Sequence, residues 1–515
     1  MKHTLLIPFY AVLFAAAFAI GQEEKKPNIL VITVDDMSAD SIGVFGCKLK
    51  DTSPNVDKLA AEGRKFAMAH VQVGNCYPSR NVMWSGRYPH NTGVEGFYAV
   101  KNVDFPTLAD LMQEAGYFVG IRGKVSHSSP NQPWHWDADL TIRSDGTKEH
   151  IKDVESYGRS TAQGIANAKE AGKPFCLNVN ISDPHKPFWK PNDPHPASKI
   201  YTADEVPVPG FLPDAPEIRN ELALYYTSVR RADDAVGSIL EALEESGETD
   251  NTVVIFLSDH GMPLPFAKTQ LYHHSTHTPF IVRWPGVAEA GSVDDEHLIS
   301  AVDFLPTLCE IAGLPQDEGF DGKSFLGLIK GETGDGWETV FKVYNENSGG
   351  ARHPMRGLQT KNYLYLFNPW SNGERKVTGA TLGTASYKAM KKMAAGGNED
   401  VAARIKLFDY RELEELYDVK SDPDCLVNLV DSPDHQDALK EHRKLLQKVM
   451  DETNDHAAAP FRGLGIQKVM DRYMEQVEAE SKERRANRPK KNNRKSKGNE
   501  KGKGKVREAK KPKAA

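Results

Sequence analysis

Recurring apolar, β-branched runs constrain the fold more than any other feature of the chain; they lie at Pro27 to Val34, Tyr117 to Ile121, Phe175 to Ile181, Thr252 to Leu257 and Phe280 to Trp284. Between or after them come helical patterns at Asn55 to Glu62, Thr107 to Ala115, Glu217 to Ser246 and Ala301 to Ala312. Strands alternating with helices predict an α/β fold, a mostly parallel sheet covered on both faces. Ligands bind such sheets outside the carboxyl ends of the strands, so polar residues just after each run are where chemistry is expected. After about Asp335 the pattern changes. Shorter runs at Val340 to Tyr344 and Tyr363 to Phe367 precede Leu416-Tyr417-Asp418 and a helix from Ala438 to Asp451, which predicts a smaller α+β unit packed on the first.

The chain opens with a short basic start, an apolar stretch from Leu5 to Ile20, Gly21 and then a polar break, the pattern of a secretory signal peptide. A mature chain starting near Gln22 is expected to be secreted or periplasmic, with no lipid anchor and no membrane span after signal removal. The expected organisation is therefore a signal peptide over 1–21, a catalytic domain over 22–335, an α+β subdomain over 336–453, a helical extension over 454–480 and a disordered basic tail over 481–515. That tail carries sixteen Lys or Arg and three Glu, a net +13, so the remainder of a chain whose overall charge is −6 carries −19. Such a run concentrates polyanions, or serves only solubility or retention at a surface. The cysteines at 47, 76, 176, 309 and 425 are too few for a disulfide framework, and their odd number leaves at least one unpaired or chemically altered.

Polar clusters follow three of the strand runs: Asp35-Asp36, Asp183-Pro184-His185 and Asp259-His260. Adjacent acids at a buried strand end repel and are poorly solvated unless a cation lies between them. Carboxylate oxygens are hard ligands, which favours Ca²⁺ or Mg²⁺, with Ca²⁺ the first expectation.

The segment Cys76-Tyr77-Pro78-Ser79-Arg80, continuing to Ser85-Gly86-Arg87, resembles the signature of type I sulfatases, with Trp84 and Ser85 where Leu and Thr are usual. Thr52 to Ala60 resembles the family's first helix entry, and Glu415 to Asp418 with Ser421-Asp422-Pro423 its C-terminal segment. The resemblance spans roughly Pro27 to Leu429. It implies an alkaline-phosphatase-like fold, with a large mixed, mostly parallel sheet. It also implies that a maturation enzyme converts Cys76 to formylglycine, whose hydrated aldehyde attacks sulfur.

The resemblance places the metal on Asp35, Asp36, Asp259 and His260, together with the matured residue 76. Arg80 would stabilise the formylglycine hydroxyl, and Lys124 and Lys268 would clamp sulfate oxygens. His185 would protonate the leaving group, while His127 would take a proton from the second hydroxyl so that sulfate is expelled and the aldehyde re-forms. The implied partner is a sulfated glycan, not nucleic acid. Gly261 to Tyr272 is similar to the run found in heparan N-sulfatases, whereas Gly123 to His127 and Asp259-His260 look like iduronate-2-sulfatases. His135, Trp136, His273 and His274 could line a sugar pocket or be buried in a loop core. A formylglycine phosphonate or phosphodiester hydrolase shares the signature, and a glycan-binding protein with an unmatured Cys76 is the non-enzymatic alternative.

Overall fold

The computed structural model describes residues 26–487. The expected signal peptide over 1–21 and Arg488 to Ala515 of the expected tail lie outside the described residues.

The large sheet contains β1 (Asn28–Asp35), β2 (Arg64–Phe66), β3 (Phe118–Arg122), β4 (Ala138–Asp139), β5 (Phe175–Pro184), β6 (Thr252–Ser258), β7 (Phe280–Arg283) and β8 (Ser292–Asp294), in the order β4-β3-β5-β1-β6-β7-β2-β8. From β4 across to β6 every pairing is parallel, with Ile32 opposite both Val179 and Phe256. The run at Phe280 enters antiparallel, against β6 on one side and β2 on the other, so the sheet is mixed at that edge.

Alternation along β1 explains why it is apolar from Ile29 to Ile32 and at Val34. Leu30, Ile32 and Val34 enter one core with the long helix Pro216–Glu245, while Ile29 and Val31 enter the other with the helices Leu108–Glu114 and Phe304–Ile311. A strand buried on both faces has no polar position to spare until it ends. The helix Val154–Glu170 had a weak signature in the sequence, because Ser156, Gly158, Ser160, Thr161 and Gly164 share its buried face with only Tyr157, Ile165 and Ala168. A Cβ on Gly164 would lie 2.8 Å from Leu140 and Leu177, so close approach to the sheet excludes the apolar residues that mark a helix.

A second, antiparallel sheet runs β12-β11-β10-β9, from β9 (Val340–Glu346), β10 (Arg352–Gln359), β11 (Tyr363–Phe367) and β12 (Glu414–Asp418). Helices Ala385–Ala395 and Glu399–Tyr410 fill the connection before β12, and Gln436–Glu452 follows it. The expected tail start at Ser481 is corrected: the last helix spans Gln467–Ala486, with Ser481 buried and bonded to Glu346 and the Gly350 carbonyl. Among the described residues no helix is long and apolar enough to cross a membrane.

Candidate active site

Four parallel strands deliver their carboxyl ends to one point. Asp35 closes β1, Asp259 follows β6, Lys124 follows β3, Asn180 lies in the carboxyl half of β5 and His185 just beyond its end. Asp36 and Lys124 have φ of 71° and 51°, left-handed backbone that costs a non-Gly residue about 1 kcal/mol or more and that clusters at functional turns. Cys76 is the first residue of the helix Cys76–Ser85, entered through Asn75 in extended conformation. Pro78 fits there because the first turn needs no intrahelical N–H donors. Ser79 Oγ donates to the Asp259 carbonyl at 2.6 Å and fixes the start of this helix on the end of β6.

Asp35, Asp36, Asp259 and His260 are almost wholly buried, and one potential ligand atom from each lies within 4.8 Å of the others; Asp35, Cys76 and His260 form an overlapping set. Asp259 Oδ1 accepts from the Asp36 N–H at 3.1 Å, and its Oδ2 accepts from Arg80 Nε at 2.9 Å. Arg80 Nη1 donates to Asn180 Oδ1 at 2.5 Å, whereas Nη2 has no hydrogen-bond partner and lies 3.9 Å from Asp35. Lys268 Nζ contacts both oxygens of Asp36, at 2.6 and 2.8 Å, and Lys124 Nζ pairs with Asp35.

Burial alone would raise the pKa of Asp35. Lys124, His185, Arg80 and Lys268 outweigh it and hold the carboxyl well below the usual carboxylate range. Asp36 is likewise lowered, chiefly by Lys268 against its burial. Arg80, Lys124 and Lys268 all lie within electrostatic reach of Cys76. Burial, then Lys124 and Arg80, push His127 down to about 4, so its imidazole is neutral at pH 7.

The donor set fits a hard divalent cation. Asp35 Oδ1 is buried and accepts no hydrogen bond. His260 Nδ1 faces the Gly261 carbonyl at 3.0 Å, and its Nε2 lies 3.0 Å from Asp36 Oδ1 and 3.7 Å from Asp259 Oδ1. Lone pairs converging on one buried point require a positive charge between them. Three carboxylates with one imidazole suit Ca²⁺ or Mg²⁺ better than a softer metal.

A sequence profile described as Sulfatase matches residues 27–314, more than half of the chain. The chain belongs to the type I sulfatase family. It is therefore a sulfuric ester hydrolase with the alkaline-phosphatase-like fold. A second profile, described as N-sulphoglucosamine sulphohydrolase, C-terminal, matches residues 259–372. An ulvan-active sulfatase of Formosa agariphila is 30% identical over 418 residues, covering 80% of this chain and 77% of that one. Human N-sulphoglucosamine sulphohydrolase is 26% identical over 486 residues, covering 86% of this sulfatase and 93% of the relative. In three dimensions, a putative sulfatase from Bacteroides thetaiotaomicron superposes with a TM-score of 0.62 at 22% identity, covering 85% of this chain and 94% of that one.

The structure thus gathers Asp35, Asp36, Cys76, Arg80, Lys124, Asp259, His260 and Lys268 around one centre. His127 lies at its edge, its ring centroid 5.0 Å from Tyr77 and 6.1 Å from Phe97. His185 donates Nδ1 to the Lys186 carbonyl at 2.6 Å, leaving Nε2 for another partner. Lys124, His127 and His185 are only half-buried, so the site opens to solvent on their side. Asp183 is a structural neighbour, bonded to Lys152 at 2.6 Å and Arg231 at 2.7 Å. His135 pairs with Asp110 near the amino ends of the strands, and Trp136 packs against a core. His273 is buried against His70 and His277, and His274 bridges Asp40 and Asp424. The sequence reading assigned no role to Asn180, which orients Arg80. An Asn one residue before the end of an apolar run was the available signal.

Proposed function

We propose that this sulfatase removes sulfate from the terminal sugar of a sulfated glycan by a formylglycine at position 76, with a divalent cation, Ca²⁺ first, held by Asp35, Asp36, Asp259, His260 and residue 76. The observation that carries this reading is Cys76 at a helix start, facing a buried acid cluster and within reach of three cations. Oxidation of Cys76 by a maturation enzyme would supply the attacking hydroxyl. A bound cation would lower that hydroxyl's pKa and draw charge from the sulfate oxygens.

The chain's own groups then have distinct tasks. Arg80 holds Asp259 with Nε and keeps Nη2 free beside Asp35, its charge acting on residue 76. Lys124 and Lys268 supply positive charge as negative charge spreads over the sulfate oxygens. His185 presents Nε2 to give a proton to the leaving oxygen or nitrogen, and neutral His127 receives one from the second hydroxyl at position 76.

N-sulfoglucosamine is the first candidate substrate, supported by the match over residues 259–372 and the Pro263 to Tyr272 run. Because a nitrogen leaves as an amine, proton delivery by His185 matters more there than for an acidic alcohol. We place the enzyme outside the cytoplasm, in keeping with its leader-like start.

Sulfate release by matured enzyme should be greater from a non-reducing-end N-sulfoglucosamine than from a terminal 2-O-sulfated uronic acid. Cys76→Ala should abolish both without lowering the unfolding midpoint. Turnover by protein with no formylglycine detectable by peptide mass would refute the nucleophile; preference for the uronic acid would refute the sugar assignment alone.

A further inference from the structure

The histidine that must deliver a proton sits on backbone just beyond β5, and a buried lysine holds that backbone. Lys152 lies shortly before the helix Val154–Glu170 and is almost wholly buried. Its Nζ donates to Asp183 Oδ1 at 2.6 Å, to the His185 carbonyl at 2.8 Å and to the Ser182 carbonyl at 3.3 Å. These three acceptors match the three N–H donors of an ammonium, and all belong to the segment that ends in His185. The helix adds a second tie through Tyr157, whose hydroxyl donates to the Ile151 carbonyl at 2.7 Å and accepts from the Ser182 N–H at 2.9 Å.

Packing alone does not call for a cation at this point. Asp183 is already paired through both oxygens with Arg231, at 2.7 and 3.2 Å. A hydrophobic side chain of similar volume would fill the space of Lys152 without the penalty of desolvating a charge. What it would not supply is a donor to the His185 carbonyl. That bond fixes the peptide between His185 and Lys186, and His185 Nδ1 donates to the Lys186 carbonyl at 2.6 Å. Backbone and ring are therefore set together, with Nε2 left as the nitrogen for the substrate. In this position His185 stays within electrostatic reach of Asp35 and Asp36.

We propose that Lys152 is the positioning residue of the proton-delivery step: by holding the His185 carbonyl it fixes where the imidazole stands when the bond from sulfur to the leaving atom breaks. This rests on the reading of His185 as the proton donor. In that step the oxygen at position 76 bonds to sulfur, the leaving atom departs with the electron pair of its bond to sulfur, and the proton on His185 Nε2 goes to it. A leaving group that is already a stable anion needs this proton little, whereas a basic one depends on it. Loss of Lys152 should therefore slow the reaction most where the leaving group is poorest.

The test measures kcat/KM of matured wild type, Lys152→Met and His185→Ala on substituted phenyl sulfates ranging from p-nitrophenyl to unsubstituted phenyl sulfate. The ratio kcat/KM covers the steps up to departure of the phenol, and a trend within one preparation does not depend on how much of the variant is folded. Met keeps the apolar stem of Lys152, and Asp183 keeps Arg231, so no buried carboxylate is stranded. Lys152→Gln, which retains a hydrogen-bonding group, takes its place if the Met variant does not fold. His185→Ala should be slowed progressively along the series, by about a hundredfold or more with phenol as leaving group. Lys152→Met should follow the same trend on a smaller scale, from about threefold with p-nitrophenol to about thirtyfold with phenol. A uniform loss across the series, or none, in Lys152→Met while His185→Ala keeps its trend overturns the proposal and leaves His185 in its role. A flat response in His185→Ala overturns the reading of His185 itself, and the proposal with it.

Discussion

Arg80 shows how a buried charge is made usable. Its guanidinium is fully buried, Nε is committed to Asp259 and Nη1 to Asn180, and those two bonds aim Nη2 at the centre. Asn180 is itself fixed, since its Nδ2 donates to the carbonyls of Arg122 and Gly123 at 3.2 Å. It therefore couples the strand end that carries Lys124 to the cation beside Cys76. Asn180→Ala should lower kcat on an aryl sulfate by roughly ten- to a hundredfold, the usual effect of removing a group that orients a catalytic one, with KM and the unfolding midpoint little changed. Wild-type kcat in that variant would show that Arg80 needs no such support.

At the scale of elements, the turns after β1 and β6 matter more than the strands. Gly261 follows His260, and a Cβ there would lie 1.9 Å from the His274 carbonyl oxygen and 2.8 Å from that of Ala267. Backbone from the Lys268 loop and from the helix His273–Thr276 therefore closes directly on the residue that sets the His260 ring. Gly261→Ala must push these segments apart. It is expected to lower the unfolding midpoint and to reduce the metal content of purified protein measured by elemental analysis. Full metal content and wild-type stability together would mean that the loop yields without moving His260.

Across the whole molecule, the two sheets meet through a buried basic cluster. Lys342 in β9 is fully buried and donates to Gln359 Oε1 at 2.5 Å, and Gln359 Nε2 lies 3.1 Å from His273 and 3.3 Å from His70. Burial drives the Lys342 amine from its ordinary value of 10.5 down to about 7. Between those values the unfolded chain binds a proton that the folded chain does not, so stability from this group rises with pH across that window and is constant below it. Relative to an exposed lysine the penalty at pH 7 is a few kcal/mol, at about 1.4 kcal/mol per pKa unit. Lys342→Met should raise the thermal midpoint at pH 7, with a gain that shrinks as pH approaches 10. A gain independent of pH would assign the effect to packing. Nearby, burial first and His274 next push His277 down to about 4, so this junction also loses stability as pH falls below the ordinary histidine range.

What the sequence determined alone is the part carried by short-range order. Continuous apolar runs identify doubly covered strands, because only strands with both faces buried exclude polar residues for so long. The Cys76 to Arg80 signature points to the family by resemblance, and the acids after two strand runs point to a cation, because adjacent acids at a buried strand end repel without one. Local pattern could not reveal elements whose burial is polar. β10 contains Arg352, His353, Arg356 and Gln359, all buried, and the helix Val154–Glu170 hides small residues against the sheet. Nor could it show that Asn180 orients Arg80, that Glu346 holds Ser481 and Arg484 of the last helix, or that Lys342 lies between the sheets. Those facts depend on residues tens to hundreds of positions apart meeting in a medium of low dielectric. There, a charge or hydrogen-bonding group is stable only if the tertiary fold brings its partner to it.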